Sequence, residues 1–234
     1  MKLVVAIFAR AGSKGVPGKN LLKFQGISLT RRALEQAAKI VSLNKIYVSS
    51  DSKAIMDEAR IFGATVPFTR PAELSDDKSP ELHSWKHLLT HLSNHTLDAP
   101  TVLVVLPVTS PLRNVYDIIG AIDLFRTNQN SCDLIVSVNS CRKNPYFNML
   151  ESGADNYLFL SKSNGPRVLR RQEAPQVWEI NNAIYVGSTR YILQTEDILS
   201  GRILGYEMPL ERSLDIDTIN DIEYLNFLEF KGDF

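Results

Sequence analysis

Three cations and a pair of carboxylates, at opposite ends of the sequence, have the most chemistry to offer. Arg10, Lys14 and Lys19 stand in the turn Ala9-Arg10-Ala11-Gly12-Ser13-Lys14-Gly15-Val16-Pro17-Gly18-Lys19-Asn20, which contains no acidic residue. Glycines leave backbone N–H groups open and allow close approach, so a glycine-rich turn with added cations suits a polyphosphate. Asp215 and Asp217 alternate with Leu214 and Ile216. On an extended segment residues i and i+2 share a side, which turns both carboxylates one way. Paired carboxylate oxygens suit magnesium, whose remaining positions go to water or phosphate oxygens. Each feature has a plainer reading: a basic surface loop for the turn, and for Asp217 the cap of a helix beginning near Thr218, with Asp215 solvated. The turn supplies no metal ligand of its own, which favours the metal reading of the pair.

The turn is not an ordinary P-loop. That motif needs four residues between its glycines and a Ser or Thr after the lysine, whereas five residues separate Gly12 from Gly18 and Asn20 follows Lys19. The even spacing of Gly12, Gly15 and Gly18 also misses the dinucleotide pattern G-x-G-x-x-G. His83, His87, His91 and His95 recur every four residues. That spacing drifts around one helix, no carboxylate or cysteine joins it at ligand spacing, and a partly exposed helical face is expected. No G-x-S-x-G elbow of a serine hydrolase is present.

The elements around these groups follow a regular order. Leu3 to Phe8 reads as a strand before the turn, and Ser28 caps a helix predicted to Val41. A strand over 45–50, a helix over 52–62 stopped by Gly63, a strand over 64–68 and a helix from Ser79 to Ser93 are expected next. Thr101 to Leu106 reads as a buried strand, followed by a helix over 115–127 and a strand over 134–138. Residues 141–178 show no clean period and read as an excursion from the sheet. A strand over 177–186, a helix over 189–193 and a last helix after Thr218 complete the chain. Such alternation predicts an α/β fold, a Rossmann-like, mostly parallel sheet flanked by helices, in a single domain over 1–234.

From Ala9 to Asn20 the turn resembles the signature A-R-x-G-S-K-G-x-x-x-K-N of the acylneuraminate cytidylyltransferases, the CMP-sugar synthetases. Ser213, Asp215, Ile216, Asp217, Thr218 and Asp221 match the family's closing S-x-D-I-D-T-x-x-D. Other landmarks fall in order: Val48-Ser49-Ser50-Asp51, Arg70-Pro71-Ala72-Glu73-Leu74, Thr109-Ser110-Pro111-Leu112-Arg113, Arg171-Gln172, and Asn181 before Ala183-Ile184-Tyr185. The resemblance covers nearly the whole chain, and the order of its motifs is specific.

The resemblance implies a cytidylyltransferase that joins CTP to a nine-carbon sugar acid with Mg2+ as cofactor. Ala9, Arg10, Gly12, Ser13, Lys14, Lys19, Asn20 and Arg70 would bind the nucleotide. Lys19, Arg10 and Asp217 would be catalytic, Asp215 and Asp217 would hold the metal, and Asp221 would be structural. Thr109, Ser110, Arg113, Arg171, Gln172 and Asn181 would meet the sugar. Arg171 can serve a partner subunit in this family, which makes 141–178 the expected element of a homodimer.

Three departures stand at the sugar end. Pro107-Val108 replaces the family's Gln-Pro, Glu179-Ile180 replaces Arg-Pro, and Asn182 stands where glycine is usual. The run over 170–175 is more like enzymes acting on legionaminic-type acids. The rivals are a cytidylyltransferase for the eight-carbon acid Kdo, another sugar nucleotidyltransferase, or a noncatalytic sugar-nucleotide sensor. Retention of both aspartates argues against the sensor.

Composition narrows the classes. A chain of 234 residues with 44% hydrophobic content can bury one sizeable core. Formal net charge is zero, which gives no support to a nucleic-acid or membrane binder. The charge is uneven: residues 1–34 carry seven Lys and Arg and no acid, whereas residues 207–234 carry eight acids and two bases. A fold that joins the ends would set a cationic wall against an anionic one. Two cysteines, no apolar run long enough to span a membrane and no signal peptide lead us to expect a soluble, cytoplasmic protein.

Overall fold

The computed structural model describes residues 1–12, 15–95, 99–163 and 168–232. In chain order its elements are β1 (Leu3–Phe8), β2 (Lys23–Phe24), β3 (Ile27–Ser28), α1 (Leu29–Ala38), β4 (Ile46–Ser49), α2 (Lys53–Phe62), α3 (Glu81–His95) and β5 (Val102–Val105). There follow α4 (Val115–Asn128), β6 (Leu134–Ser140), β7 (Leu150–Ser152), β8 (Leu158–Leu160), β9 (Trp178–Ser188), α5 (Thr189–Gln194), β10 (Ile203–Glu207) and α6 (Ile219–Lys231).

The six-stranded central sheet has the order β10-β6-β9-β5-β1-β4. Only β9 runs antiparallel, to both β5 and β6. This is the expected mostly parallel α/β architecture, with one strand reversed. Alternation along β1 sends Val5 and Ile7 into a core shared with α1, α2, α4 and α6, while Val4 and Ala6 face the core under α3 and α5. A strand covered on both faces needs an almost wholly apolar sequence, which is why all four residues of β5 are buried.

Helix ends follow their capping chemistry. Ser28 and Ser52 accept N–H bonds from Arg31 and Ile55 at the starts of α1 and α2, and Gly63 closes α2 in a left-handed conformation. Thr218 caps α6 in a reciprocal box with Asp221. Asp217 is therefore not the cap of this helix and is left available for other work.

Two elements depart from the sequence pattern. The strand expected over 64–68 reduces to isolated bridges, Tyr47–Thr65 and Ser50–Thr69. Pro67 interrupts it and has no N–H for a ladder. β10 has no clean apolar pattern, yet it pairs with β6 at the sheet edge. There Gly205 is needed for its size, because a Cβ would come within 2.9 Å of the Val138 side chain. The excursion over 141–178 holds the β7–β8 hairpin and a short 3-10 turn over Arg171–Glu173, and no α-helix among its described residues.

Candidate active site

The turn after β1 is anchored by β4 and the residues that follow it. Ala9 N donates to the Ser49 carbonyl at 3.2 Å, and Ala11 N donates to Asp51 Oδ1 at 2.7 Å. Arg70 is buried against the same segment, with Nε on Ser49 Oγ at 3.1 Å and Nη2 on the Ser49 carbonyl. Burial lowers its guanidinium to about 10, opposed by the charges of Asp51 and Glu81. It remains a cation at neutral pH. Ser49-Ser50-Asp51 is thus a scaffold for two of the nucleotide-binding candidates.

The far end of the turn meets the C-terminal tail. Ile216 is buried, its N–H donates to the Thr109 carbonyl at 2.9 Å, and its carbonyl accepts from Lys19 Nζ at 2.7 Å. Lys19 also pairs with Asp217 Oδ1 at 2.8 Å. Gly15 is required here, because a Cβ would lie 2.1 Å from the Asp217 carbonyl oxygen. Gly18 adopts a left-handed φ of 71° before the short 3-10 turn over Lys19–Leu21. The cationic turn and the aspartate pair are therefore neighbours, as their charges suggested.

A cavity of about 360 Å³ opens between these segments. Arg10, Gly12, Lys19, Asn20, Arg70, Pro107, Thr109, Asp215 and Asp217 all line it. Asn20 is buried, with Nδ2 on the Arg10 carbonyl at 2.8 Å. Its Oδ1 has no hydrogen-bond partner, an acceptor held ready in the wall. Arg10 pairs with Asp77 at 2.6 Å across the cavity mouth. Ser13 and Lys14 lie outside the described residues.

Asp215 Oδ1 is buried and likewise without a partner, while Oδ2 accepts from Asn182 Nδ2 at 3.0 Å. Burial raises the Asp215 carboxyl above its ordinary value; neighbouring Thr109 and Asn182 counter this, Asp217 adds to it and Lys19 opposes it. No cluster of three or more His, Cys, Asp or Glu able to hold a metal occurs among the described residues. A site of two carboxylates with an orphaned oxygen, open to phosphate and water, nonetheless fits magnesium, which uses few protein ligands.

Other expected contacts fall differently. Ala9 is buried behind the turn. Ser110 and Arg113, expected at the sugar, are interior ties. Ser110 Oγ donates to the Asn182 carbonyl at 3.1 Å, and the fully enclosed Arg113 reaches the carbonyls of Pro107 and Ala183 and the side chain of Gln36. Neither lines the cavity, because inward-facing backbone carbonyls consume their donors. Arg171 and Gln172 are exposed on the excursion, where Arg171 donates to the Arg142 carbonyl, away from the cavity. Asn181 lines an adjoining chamber of about 430 Å³ and donates to Ser213 Oγ at 2.9 Å. That chamber shares Asn182, Asp215 and Asp217 with the first.

Sequence reasoning missed Glu81, Asp77 and Asn182 as wall residues. Glu81 opens α3 on the cleft wall, exposed to solvent as a residue; crowding by the surrounding walls pushes its carboxyl upward, against the pull of Arg70. The only sequence signal was its position as the first residue after Ser79-Pro80.

The chain is similar in sequence and fold to known proteins. It is 31% identical over 227 residues to the CMP-N,N'-diacetyllegionaminic acid synthase of Campylobacter jejuni, covering 97% of this chain and 94% of that protein. It is 29% identical over 227 residues to the post-translational flagellin modification protein B of Campylobacter coli, with the same coverage. Among solved structures, a CMP:2-keto-3-deoxy-manno-octonic acid synthetase complexed with CTP superposes with a TM-score of 0.68 at 18% identity, covering 99% of this chain and all of that one, a likeness of fold. The sequence model of the cytidylyltransferase family matches residues 4–183, and the chain belongs to that family.

Proposed function

We propose that the protein transfers the cytidylyl group of CTP to the anomeric hydroxyl of a nine-carbon acidic sugar of the nonulosonic class, releasing pyrophosphate. The observation that carries this reading is the meeting of the cationic turn with Asp215 and Asp217 in one cleft. The relatives support the sugar class, since the Campylobacter jejuni protein is named for a CMP-legionaminic acid product. The likeness to the octonic acid synthetase, at 18% identity, adds nothing for an eight-carbon substrate.

In this reaction the sugar oxygen forms a bond to the α-phosphorus, and the bond from that phosphorus to the β-phosphate bridge oxygen breaks. Arg10 and Lys19 hold the phosphates and offset charge as the leaving group develops, which is positioning and electrostatic work rather than covalent catalysis. Arg70 and the open Asn20 Oδ1 face the nucleotide. Asp215 and Asp217 would hold magnesium, which when bound polarises the α-phosphate and eases deprotonation of the attacking hydroxyl.

The excursion completes the reading. Leu150, Tyr157, Leu158 and Phe159 of the hairpin region are 50–80% exposed. A second copy of the chain packing on them would form a homodimer and carry Arg171 and Gln172 toward the partner's sugar. Sedimentation of the purified protein tests this, and a monomer at assay concentration refutes it.

Pyrophosphate release from CTP, measured across N-acetylneuraminic, legionaminic-type and Kdo acids, tests the activity. A legionaminic-type acid should give the highest kcat/KM. Pro107 offers no side-chain donor or acceptor where the family's glutamine offers both. Turnover with none of these acids sinks the proposal, and a preference for N-acetylneuraminic acid sinks its sugar assignment.

A further inference from the structure

Asn182 does something that a glycine at its position could not do. Its φ is 51°, a left-handed value that glycine adopts without steric cost. It sits in a bulge of β9, where the register with β6 jumps from Val136–Tyr185 to Val138–Ile180. Four residues of β9, 181–184, therefore lie opposite the single residue Ser137. Bulges of this kind re-aim side chains beside functional sites. The backbone of the bulge is held independently of the Asn182 side chain. Ser137 Oγ accepts from Ala183 N at 3.1 Å and Ile184 N at 2.8 Å, and Ser110 Oγ donates to the Asn182 carbonyl at 3.1 Å.

The Asn182 amide is used on both sides. Nδ2 donates to Asp215 Oδ2 at 3.0 Å, and Oδ1 accepts from the hydroxyl of buried Tyr185 at 2.7 Å. The amide orientation is dictated by its partners, because a carboxylate only accepts and so must face the NH2 group. Tyr185 thus steadies Asn182, and Asn182 occupies one oxygen of Asp215. The other oxygen, Oδ1, is left buried, unpartnered and in the cavity wall.

We propose that Asn182 is a positioning residue, which with Tyr185 fixes the Asp215 carboxylate so that its free oxygen is presented to a divalent cation. This rests on the reading that Asp215 and Asp217 hold the metal. Groups that orient ligating carboxylates change metal affinity by roughly tenfold or more when removed.

The test is Mn2+ binding to the full chain without nucleotide, followed by loss of the free-ion EPR signal, together with thermal melting. Asn182→Gly removes the amide and suits the backbone, so the relief at φ offsets the lost hydrogen bonds and its Tm should stay close to that of the wild type while the Kd for Mn2+ rises about tenfold. Tyr185→Phe should weaken Mn2+ in the same direction by a few-fold. If Asn182→Gly binds Mn2+ within twofold of wild type while Asp217→Asn loses it, the positioning role is wrong and the metal pair stands. If wild type and Asp217→Asn bind Mn2+ alike, the metal reading fails and this inference falls with it. A loss of affinity in Asn182→Gly accompanied by a lowered Tm, and not repeated by Tyr185→Phe, marks a structural role and overturns the proposal.

Discussion

The cleft and the chamber beside it share Asn182, Asp215 and Asp217, and otherwise differ in whether cations are present. The cleft brings in Arg10, Lys19 and Arg70 together with Asp76, Asp77 and Glu81. The chamber brings in Glu179, Glu211 and Asp221, and no Lys or Arg among its described lining residues. One chain therefore supplies cations for a triphosphate, but on the chamber side it offers acceptors for hydroxyl and amide groups. A sugar carboxylate in the proposed reaction must find its counter-charge at Lys19, at the metal, or from Arg171 of a second copy. The difference teaches where each end of the proposed reaction would find its charge: the phosphates at cations of the cleft, the sugar acid at Lys19, the metal or a second copy.

The sharpest way to break this contrast is at a carboxylate common to both spaces. Asp217→Asn should lower kcat by more than about a hundredfold, and its exposed side chain means that stability changes by no more than ~1 kcal/mol. Near-normal turnover at saturating Mg2+ would remove the metal from the boundary between the two spaces. Lys19→Ala should come next, with kcat down on the order of a hundredfold and KM for CTP little changed, because a cation that acts on developing charge helps the transition state more than the ground state. A raised KM with kcat intact would make Lys19 a binding residue only.

On the chamber side the effect should be smaller and confined to the sugar. Glu179→Gln removes an anion from the wall and should raise kcat/KM for N-acetylneuraminic acid relative to a legionaminic-type acid by a few-fold, leaving KM for CTP as it was. A change in KM for CTP instead would mean that the chamber belongs to the nucleotide. The smallest effect is expected at His91, whose ring packs edge-on against Phe68 at 5.1 Å and stacks on His95 at 4.1 Å, on the exposed side of α3. His91→Ala should leave Mg2+ dependence and both KM values unchanged and cost at most ~1 kcal/mol in thermal unfolding.

The sequence was most legible where local chemistry decides. Ser28, Ser52 and Gly63 marked helix ends because caps are satisfied within a few residues. The opposed charges of the chain ends announced their meeting. It was least legible where pairing is decided by distant partners. Nothing in Trp178–Ser188 reveals that β9 runs against its neighbours, and the half-exposed β10 becomes a strand only because β6 offers an edge. Arg113 shows the limit at the site. A guanidinium that binds a carboxylate ligand and one that ties down carbonyls look alike in sequence, and only the acceptors around it tell them apart. Asn182 is the converse, a polar residue in a glycine's place whose use appears only once φ and its two partners are known.

The contact of Gly15 with the Asp217 carbonyl, and of Lys19 with residues 216 and 217, also bears on how the molecule comes into being. The two Lys19 contacts close separations of 197 and 198 residues, and the Gly15 contact joins the same two ends. Contacts so far apart in the chain form late, after loop-closure entropy has been met by the sheet between them. During refolding, β-sheet and helix signals should therefore recover before catalytic competence does. A population with its strands in place but residues 215–217 unseated would have Lys19 without its partners in the tail, so the candidate site itself is a reporter of the last step of folding.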